Sequence, residues 1–103
     1  MKSKIYAIDF DGFLCKDKYP EIGEPKHDNI TYVKDLKNDG HIIILWTCRE
    51  GELLDEAIDW CKQNGIIFDY VNENTSENIK KYGGNSRKIF ADYYVDDRNI
   101  YVY

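Results

Sequence analysis

The sequence predicts one α/β domain with a mostly parallel sheet, because short apolar segments alternate with helical patterns throughout residues 1–103. Several of these segments are apolar along their whole length, as strands are when helices cover both faces of a parallel sheet. Polar residues follow the segments, at the edge where ligands bind in such folds. Hydrophobic residues make up 43% and charged residues 32% of the chain, which is typical of a folded soluble domain.

Five segments have the composition of strands. The first, residues 4–10, ends at Asp-Gly and is predicted to be a buried central strand. Three further strands are predicted over residues 41–46, 66–71 and 88–95, and a short edge strand over residues 100–103. Residues 16–26 are predicted to form a loop, because Pro20, Gly23 and Pro25 interrupt them.

Two segments have apolar residues at helical spacing. One helix is predicted from an N-cap at Asp28 to Gly40, with Ile30, Val33 and Leu36 on its buried face. The second runs from residue 51 or 52 to residue 64 and is ended by Gly65. A single helical turn is predicted at residues 77–82, within the polar segment 72–86.

Charge, cysteine content and hydropathy limit the molecules that the protein can bind and the compartment in which it is expected. Lys and Arg total 14 against 19 Asp and Glu, and the net charge of −5 disfavours passive binding to nucleic acid or to anionic membranes. A phosphorylated substrate stays compatible, because a metal ion reverses the local field. Cys15, Cys48 and Cys61 have no metal-binding spacing and are predicted to be thiols. We expect no signal peptide, no membrane span and a cytoplasmic location.

Two carboxylates, Asp9 and Asp11, follow the first predicted strand, and Gly12 bends the chain after them. At this spacing both side chains can reach one site, and their mutual repulsion favours a hard divalent cation. The alternative is an ordinary turn that ends the strand, in which Asp-Gly is common.

Three more polar signals occur at later strand boundaries. The hydroxyl of Thr47 is suited to holding a phosphate oxygen, although a Thr before a helix is more often a cap. Arg87 and Lys88 are suited to neutralising phosphate charge, although basic residues at a strand start are usually solvated. Asp96 and Asp97 directly follow an apolar strand, where adjacent acids are unfavourable unless a metal or a base uses them.

Together, the segments IDFDGFLC, ILWTCRE, SRKIFAD and YYVDDRN resemble the four motifs of the haloacid dehalogenase (HAD) superfamily of phosphohydrolases. The resemblance implies a three-layer Rossmann-like sheet with strand order 3-2-1-4-5. The intervals between the motifs are occupied by the helices and strands predicted above, so we expect a member without a cap domain. Small HAD-like hydrolases of bacteria and phages are similar to it.

The resemblance also implies a role for each residue. Asp9 is the implied nucleophile of a magnesium-dependent phosphatase and forms an aspartyl-phosphate, while Asp11 protonates the leaving group and then activates water. The implied ligands of Mg²⁺ are Asp9, the backbone carbonyl of Asp11, Asp96 and Asp97, the last directly or through water. The implied phosphate-binding residues are Gly12, Thr47, Cys48 and Lys88.

One residue departs from the family pattern, because Phe13 stands where Thr or Val is usual. We therefore expect an altered geometry in residues 15–26, which are predicted to lie over the site with Tyr19, Pro20 and Glu21. Trp46 and Trp60 are predicted to be core residues, and Arg49 to lie at the site's rim or at a solvated helix start.

Three other functions are compatible with the same residues. They are a non-catalytic domain that binds phosphate or magnesium, a phosphotransferase to an acceptor other than water, and a receiver domain. A receiver domain carries similar residues in a different order, which disfavours it. The substrate is left open, nucleic-acid ends included, and a homodimer is compatible with the many aromatic residues.

Overall fold

The computed structural model of the protein describes residues 3–84, 89–97 and 100–102. The strands in these ranges are β1 (Ile5–Ile8), β2 (Cys15–Lys18), β3 (Glu21–Pro25), β4 (Ile42–Leu45), β5 (Tyr70–Val71), β6 (Tyr93–Val95) and β7 (Ile100–Val102). The helices are α1 (His27–Asn38), α2 (Gly51–Gln63) and α3 (Ser76–Tyr82). The prediction of an α/β fold is confirmed. None of the helices in these ranges is long and apolar enough to cross a membrane.

Five of the strands form one sheet in the order β5-β4-β1-β6-β7, in which β7 alone is antiparallel to its neighbour. Ile8 at the end of β1 pairs with Leu45 on one side and with Val95 on the other. Because these strands are parallel, the residues that follow all three emerge at one edge of the sheet. The sheet therefore brings the first, second and fourth predicted strand ends together.

The central strands β1 and β4 are buried on both of their faces. Ile8, Ile43 and Leu45 pack in one cluster with residues of α1 and α2, while Ala7 and Ile44 are also fully buried. Since successive side chains of a strand point to opposite faces, both sides of the sheet are covered there. This burial explains why the two segments are apolar along their whole length.

The helices match their predicted patterns, with one correction at the start of α1. Ile30, Val33 and Leu36 are buried as predicted, and Gly40, with φ of +87°, follows the helix end. Asp28 is not the N-cap, because the helix begins at His27 and Asp28 lies within its first turn. There the carboxylate interacts favourably with the helix dipole. The predicted turn at residues 77–82 is helix α3, which Thr75 caps by accepting from the Asn78 N–H.

Two predicted strands are shorter than the sequence suggests. Asp69, just before β5, exchanges two hydrogen bonds with Ile43, one through its backbone N–H and one through its carboxylate. Asp92, just before β6, does the same with Ile5. In each case a carboxylate takes the place of a backbone carbonyl, so regular pairing starts only after the aspartate. The third and fourth strands therefore begin later than predicted, since residues 66–69 and 89–92 precede the regular pairing.

The predicted loop over residues 16–26 is wrong, because this segment forms the β2–β3 hairpin. Gly23 permits close contact between the two strands, since a Cβ atom there would lie 2.1 Å from the carbonyl oxygen of Lys16. The half-buried Ile22 packs against the main core. The glycine and prolines that suggested a loop thus belong to a turn and an irregular strand pairing.

Candidate active site

A cavity of about 260 Å³ opens at the edge of the sheet where β1, β4 and β6 end. Its lining residues come from the ends of all three strands: Asp9, Trp46, Thr47, Cys48 and Asp96. Two larger depressions, of about 470 and 390 Å³, lie on the hairpin and at the start of α1, and neither is lined by Asp9. The smaller cavity is the candidate site, because acidic and hydroxyl groups converge there.

Asp9 is the first residue after β1, and its backbone holds it rigidly. Its N–H donates to the carbonyl of Val95 at 2.9 Å, and its Oδ1 accepts from the Phe10 N–H at 2.9 Å. Burial, together with the charges of Asp96, Asp97 and Asp11, raises the pKa of Asp9 to about 6, against the opposing effect of the Phe10 hydrogen bond. This corner of the molecule therefore has an excess of negative charge.

Asp97 packs against the bend that the chain makes at Gly12, within the first motif. Gly12 has a φ of +94°, and a Cβ atom at this position would lie 3.0 Å from Oδ2 of Asp97. The N–H of Gly12 donates to the carbonyl of Cys15, and the ammonium of Lys26 donates to the carbonyl of Gly12. Gly12 is predicted to bind phosphate, and a contact through its N–H would have to replace this internal hydrogen bond.

Thr47 is fixed on both sides by hydrogen bonds. Its N–H donates to Oδ1 of Asn72 at 2.8 Å, and its Oγ1 accepts from the Arg49 N–H at 3.2 Å. These two hydrogen bonds fix the position of the Thr47 hydroxyl group. A phosphate oxygen in the cavity is a suitable acceptor for its proton. Asn72 was not anticipated as a partner of Thr47, although asparagine is one of the few non-glycine residues that favour a positive φ such as its 51°.

Asp11 lies two residues from Asp9 but in a very different environment. Its two oxygens accept hydrogen bonds from Nε and Nη2 of Arg49, each at 2.8 Å. The guanidinium is only 1% exposed and lies 5.1 Å from the ring centroid of Phe10. The prediction of a rim or solvated position for Arg49 is therefore wrong, and Arg49 is instead a buried partner of Asp11.

Arg49 also binds the tip of the β2–β3 hairpin. Nη1 and Nη2 donate to the carbonyls of Pro20 and Glu21 at 3.1 and 3.0 Å, and the Tyr19 ring centroid lies 5.3 Å from the guanidinium carbon. The hairpin tip thus covers the ion pair between Asp11 and Arg49, while no hairpin residue lines the cavity at Asp9.

The structure brings four predicted residues together in the cavity, namely Asp9, Thr47, Cys48 and Asp96. Asp97 borders the bend, Asp11 faces Arg49, and Lys88 lies outside the described residues. The prediction that Trp46 is a core residue is wrong, since it is 40% exposed. Among the described residues, no three His, Cys, Asp or Glu side chains are grouped closely enough to hold a metal by themselves.

The fold and the site define an α/β domain whose parallel sheet carries an acidic cavity at its carboxyl edge. The chain is similar to a solved structure of a conserved protein from Bacteroides thetaiotaomicron, with 43% sequence identity and a TM-score of 0.83. The match covers 95% of this chain and 78% of that one, so the chain belongs to the same family as the Bacteroides protein. No protein-family model and no curated protein sequence matches the chain.

Proposed function

We propose that the protein is a magnesium-dependent phosphate-monoester hydrolase of the HAD type, with Asp9 as its nucleophile. The observation that carries the proposal is the acidic cavity. Asp9 and Asp96 meet there beside a hydroxyl group, and burial, together with the charges of the nearby carboxylates, raises the pKa of Asp9 to about 6. Such an arrangement is unfavourable without a cation, and strongly perturbed carboxylates in a cleft are typical of functional sites.

The strand order supports the HAD-like assignment. When the strands of the main sheet are numbered in chain order, the observed arrangement β5-β4-β1-β6-β7 is 3-2-1-4-5. This is the order that the sequence resemblance implies. The short β2–β3 hairpin follows the first motif, in a position where larger members of the superfamily insert a cap domain.

The residues at the cavity fit a magnesium ion. Magnesium prefers oxygen ligands, uses only one or two carboxylates and keeps several waters, so it does not require three grouped side chains. Asp9 and Asp96 would supply the carboxylates, with the backbone carbonyl of Asp11 and, directly or through water, Asp97. When bound, the ion would offset the charge of the carboxylates and stabilise the oxygens of the transferring phosphoryl group.

In the proposed first step, a carboxylate oxygen of Asp9 attacks phosphorus in line with the leaving oxygen. Oδ2 is the candidate oxygen, because Oδ1 accepts the Phe10 N–H. A bond forms between Asp9 and phosphorus, and the bond from phosphorus to the leaving alcohol breaks. Thr47 donates its hydroxyl proton to a phosphoryl oxygen, and Lys88 adds a positive charge. Water then hydrolyses the aspartyl-phosphate and releases phosphate.

Asp11 would protonate the leaving alcohol and then accept a proton from the attacking water. Both of its oxygens accept hydrogen bonds from the charged Arg49, and protonation of either oxygen would weaken this charge-assisted pairing. We therefore expect the acid step to involve a rearrangement of the Asp11–Arg49 pair. Because Arg49 also holds Pro20 and Glu21, this rearrangement involves the hairpin tip.

The test is release of phosphate from p-nitrophenyl phosphate and a panel of monoesters, with magnesium or with EDTA. We expect turnover that requires magnesium and falls at least about 1,000-fold in Asp9→Asn, as expected when a covalent nucleophile is lost. Asp55→Asn is the matched control, since Asp55 is an exposed residue of α2. Equal turnover in Asp9→Asn and Asp55→Asn would refute the assignment of the nucleophile.

A further inference from the structure

Trp46 is an aromatic side chain placed directly beside the reaction centre. It is 40% exposed, it precedes Thr47, and it lines the same cavity as Asp9 and Asp96. No other described residue lining this cavity is aromatic. A rigid, partly exposed indole next to a phosphate site offers a flat apolar surface to whatever group the phosphate carries.

A second aromatic residue packs against the indole of Trp46. Tyr94 of β6 contacts Trp46 edge to face, with ring centroids 5.3 Å apart and planes at 62°. The two residues extend from strands on either side of β1, where the small Ala7 pairs with Tyr94.

Tyr94 is itself held in place by two hydrogen bonds. Its hydroxyl donates to the carbonyl of Ile89 and accepts from the Ala91 N–H at 3.2 Å. The backbone of Trp46 is fixed as well, because its N–H donates to the carbonyl of Ile8 at 2.8 Å. Trp46 is therefore an ordered surface, and little conformational entropy is lost when a ligand stacks on it.

We propose that Trp46 is a specificity-determining residue that stacks on a planar aromatic ring in the leaving group of the substrate. This inference rests on the proposed phosphatase function, and it names the substrate class as phosphate monoesters that carry such a ring. A phenolic ester and a nucleoside monophosphate share this chemistry. Stacking of a base on an aromatic side chain strengthens binding by about tenfold or more.

The test measures binding without turnover, by tryptophan fluorescence in an Asp9→Asn, Trp60→Phe variant. The protein has two tryptophans, so Trp46 is the only indole that this variant contains. The ligands are AMP, phenyl phosphate, ribose 5-phosphate and inorganic phosphate, each with magnesium. We expect AMP, phenyl phosphate or both to quench Trp46 and to bind about tenfold or more tightly than ribose 5-phosphate. The two ring-bearing ligands distinguish a nucleoside from a simple aryl group.

Two substitutions of Trp46 distinguish a role in ligand recognition from a structural role. In each variant, the Kd of every ligand is measured by calorimetry. In Trp46→Leu we expect ring-bearing ligands to bind no better than ribose 5-phosphate, whose own affinity is unchanged. In Trp46→Phe we expect much of the preference to return, because a ring is restored. An equal loss for every ligand, or no preference in the parent variant, would overturn the proposal while leaving the phosphatase assignment intact. Failure of all four ligands both to bind to this variant and to inhibit turnover of p-nitrophenyl phosphate by the wild type would refute the phosphate site and the stacking surface together.

Discussion

Asp9 and Asp11 differ sharply although only one residue separates them. Asp9 faces a cavity with Asp96, and burial together with the nearby carboxylates raises its pKa to about 6. Asp11 faces a buried arginine that binds both of its oxygens. One carboxylate thus lies where negative charge is in excess, and the other where charge is balanced by hydrogen bonds.

The two carboxylates of the first motif are therefore expected to have different roles. In the proposed function, the Asp9 side would take a cation from solution, so its chemistry would depend on what binds there. The Asp11 side supplies its own cation, and Arg49 connects this carboxylate to the hairpin through Pro20 and Glu21. Binding of metal and substrate is therefore expected on one side, and movement of the hairpin on the other.

The largest expected effect on stability comes from breaking the Asp11–Arg49 pair. Removing one partner of a buried ion pair costs about 3–5 kcal/mol, because the other charge stays buried without its partner. We expect this loss for Arg49→Met and for Asp11→Asn, and a double variant that loses clearly less than the sum of the two. Urea unfolding of the four proteins measures the coupling free energy.

An exposed ion pair of the same chain is the control. Lys37 and Asp69 form a salt bridge on the surface, with side chains 39% and 30% exposed. Exposed pairs contribute about 0–1 kcal/mol, so Lys37→Met should lower the free energy of unfolding far less than Arg49→Met. Similar losses in the two variants would show that Arg49 is not the buried cation inferred from the structure.

Much of the fold was predictable because it depends on local patterns. Short apolar runs such as residues 41–46, bounded by turn residues, are typical of strands in a covered sheet, and Gly40 follows the end of α1 as its position suggests. The hairpin was missed because Gly23 and the prolines usually interrupt strands. Here the glycine instead permits a close approach to Lys16 that only the paired structure reveals.

The candidate site was predictable where a residue follows a strand. Asp9, Thr47 and Asp96 lie in one cavity because β1, β4 and β6 are parallel and in matched register, so they end at the same edge of the sheet. The role of Arg49 could not be inferred, since its partners Asp11 and Pro20 are 38 and 29 residues away along the chain. A lone arginine after a strand has no pattern that distinguishes a buried partner from a solvated one.

A smaller effect is expected from Gly12→Ala, which tests how the bend holds Asp97. The positive φ of Gly12 alone makes alanine unfavourable by about 1 kcal/mol, and the contact at 3.0 Å forces Asp97 to move. We expect a loss of about 2 kcal/mol and a weaker stabilisation of the protein by magnesium. Thermal unfolding with and without magnesium measures both quantities.

Gly40→Ala separates backbone strain from displacement of Asp97. Gly40 has a similar φ of +87°, but a Cβ atom there would have no neighbour within 4 Å. This variant should show the strain alone and keep the full response to magnesium. If Gly12→Ala also keeps the full response, Asp97 does not contribute to the metal site.

The smallest expected effect on stability is the pH dependence caused by Asp9. Its pKa is raised from the ordinary 3.8 to about 6, so its contribution to stability is fully present below pH 4 and is lost as the pH rises through 6. In EDTA, Asp9→Asn should therefore become more stable than the wild type between pH 4 and pH 7. Because the carboxylate is partly exposed to water, we expect a difference of about 1 kcal/mol.

Magnesium should reduce or reverse this difference at pH 7, because the cation stabilises the ionised Asp9 of the wild type and not the amide of the variant. Urea unfolding at four pH values, with EDTA or magnesium, follows the change, and Asp55→Asn corrects for the loss of one negative charge. Parallel stability curves for the wild type and Asp9→Asn in EDTA would mean that neither burial nor the nearby carboxylates raise the pKa of Asp9. The contrast with Asp11 would then be lost, since both carboxylates of the first motif would be electrostatically balanced.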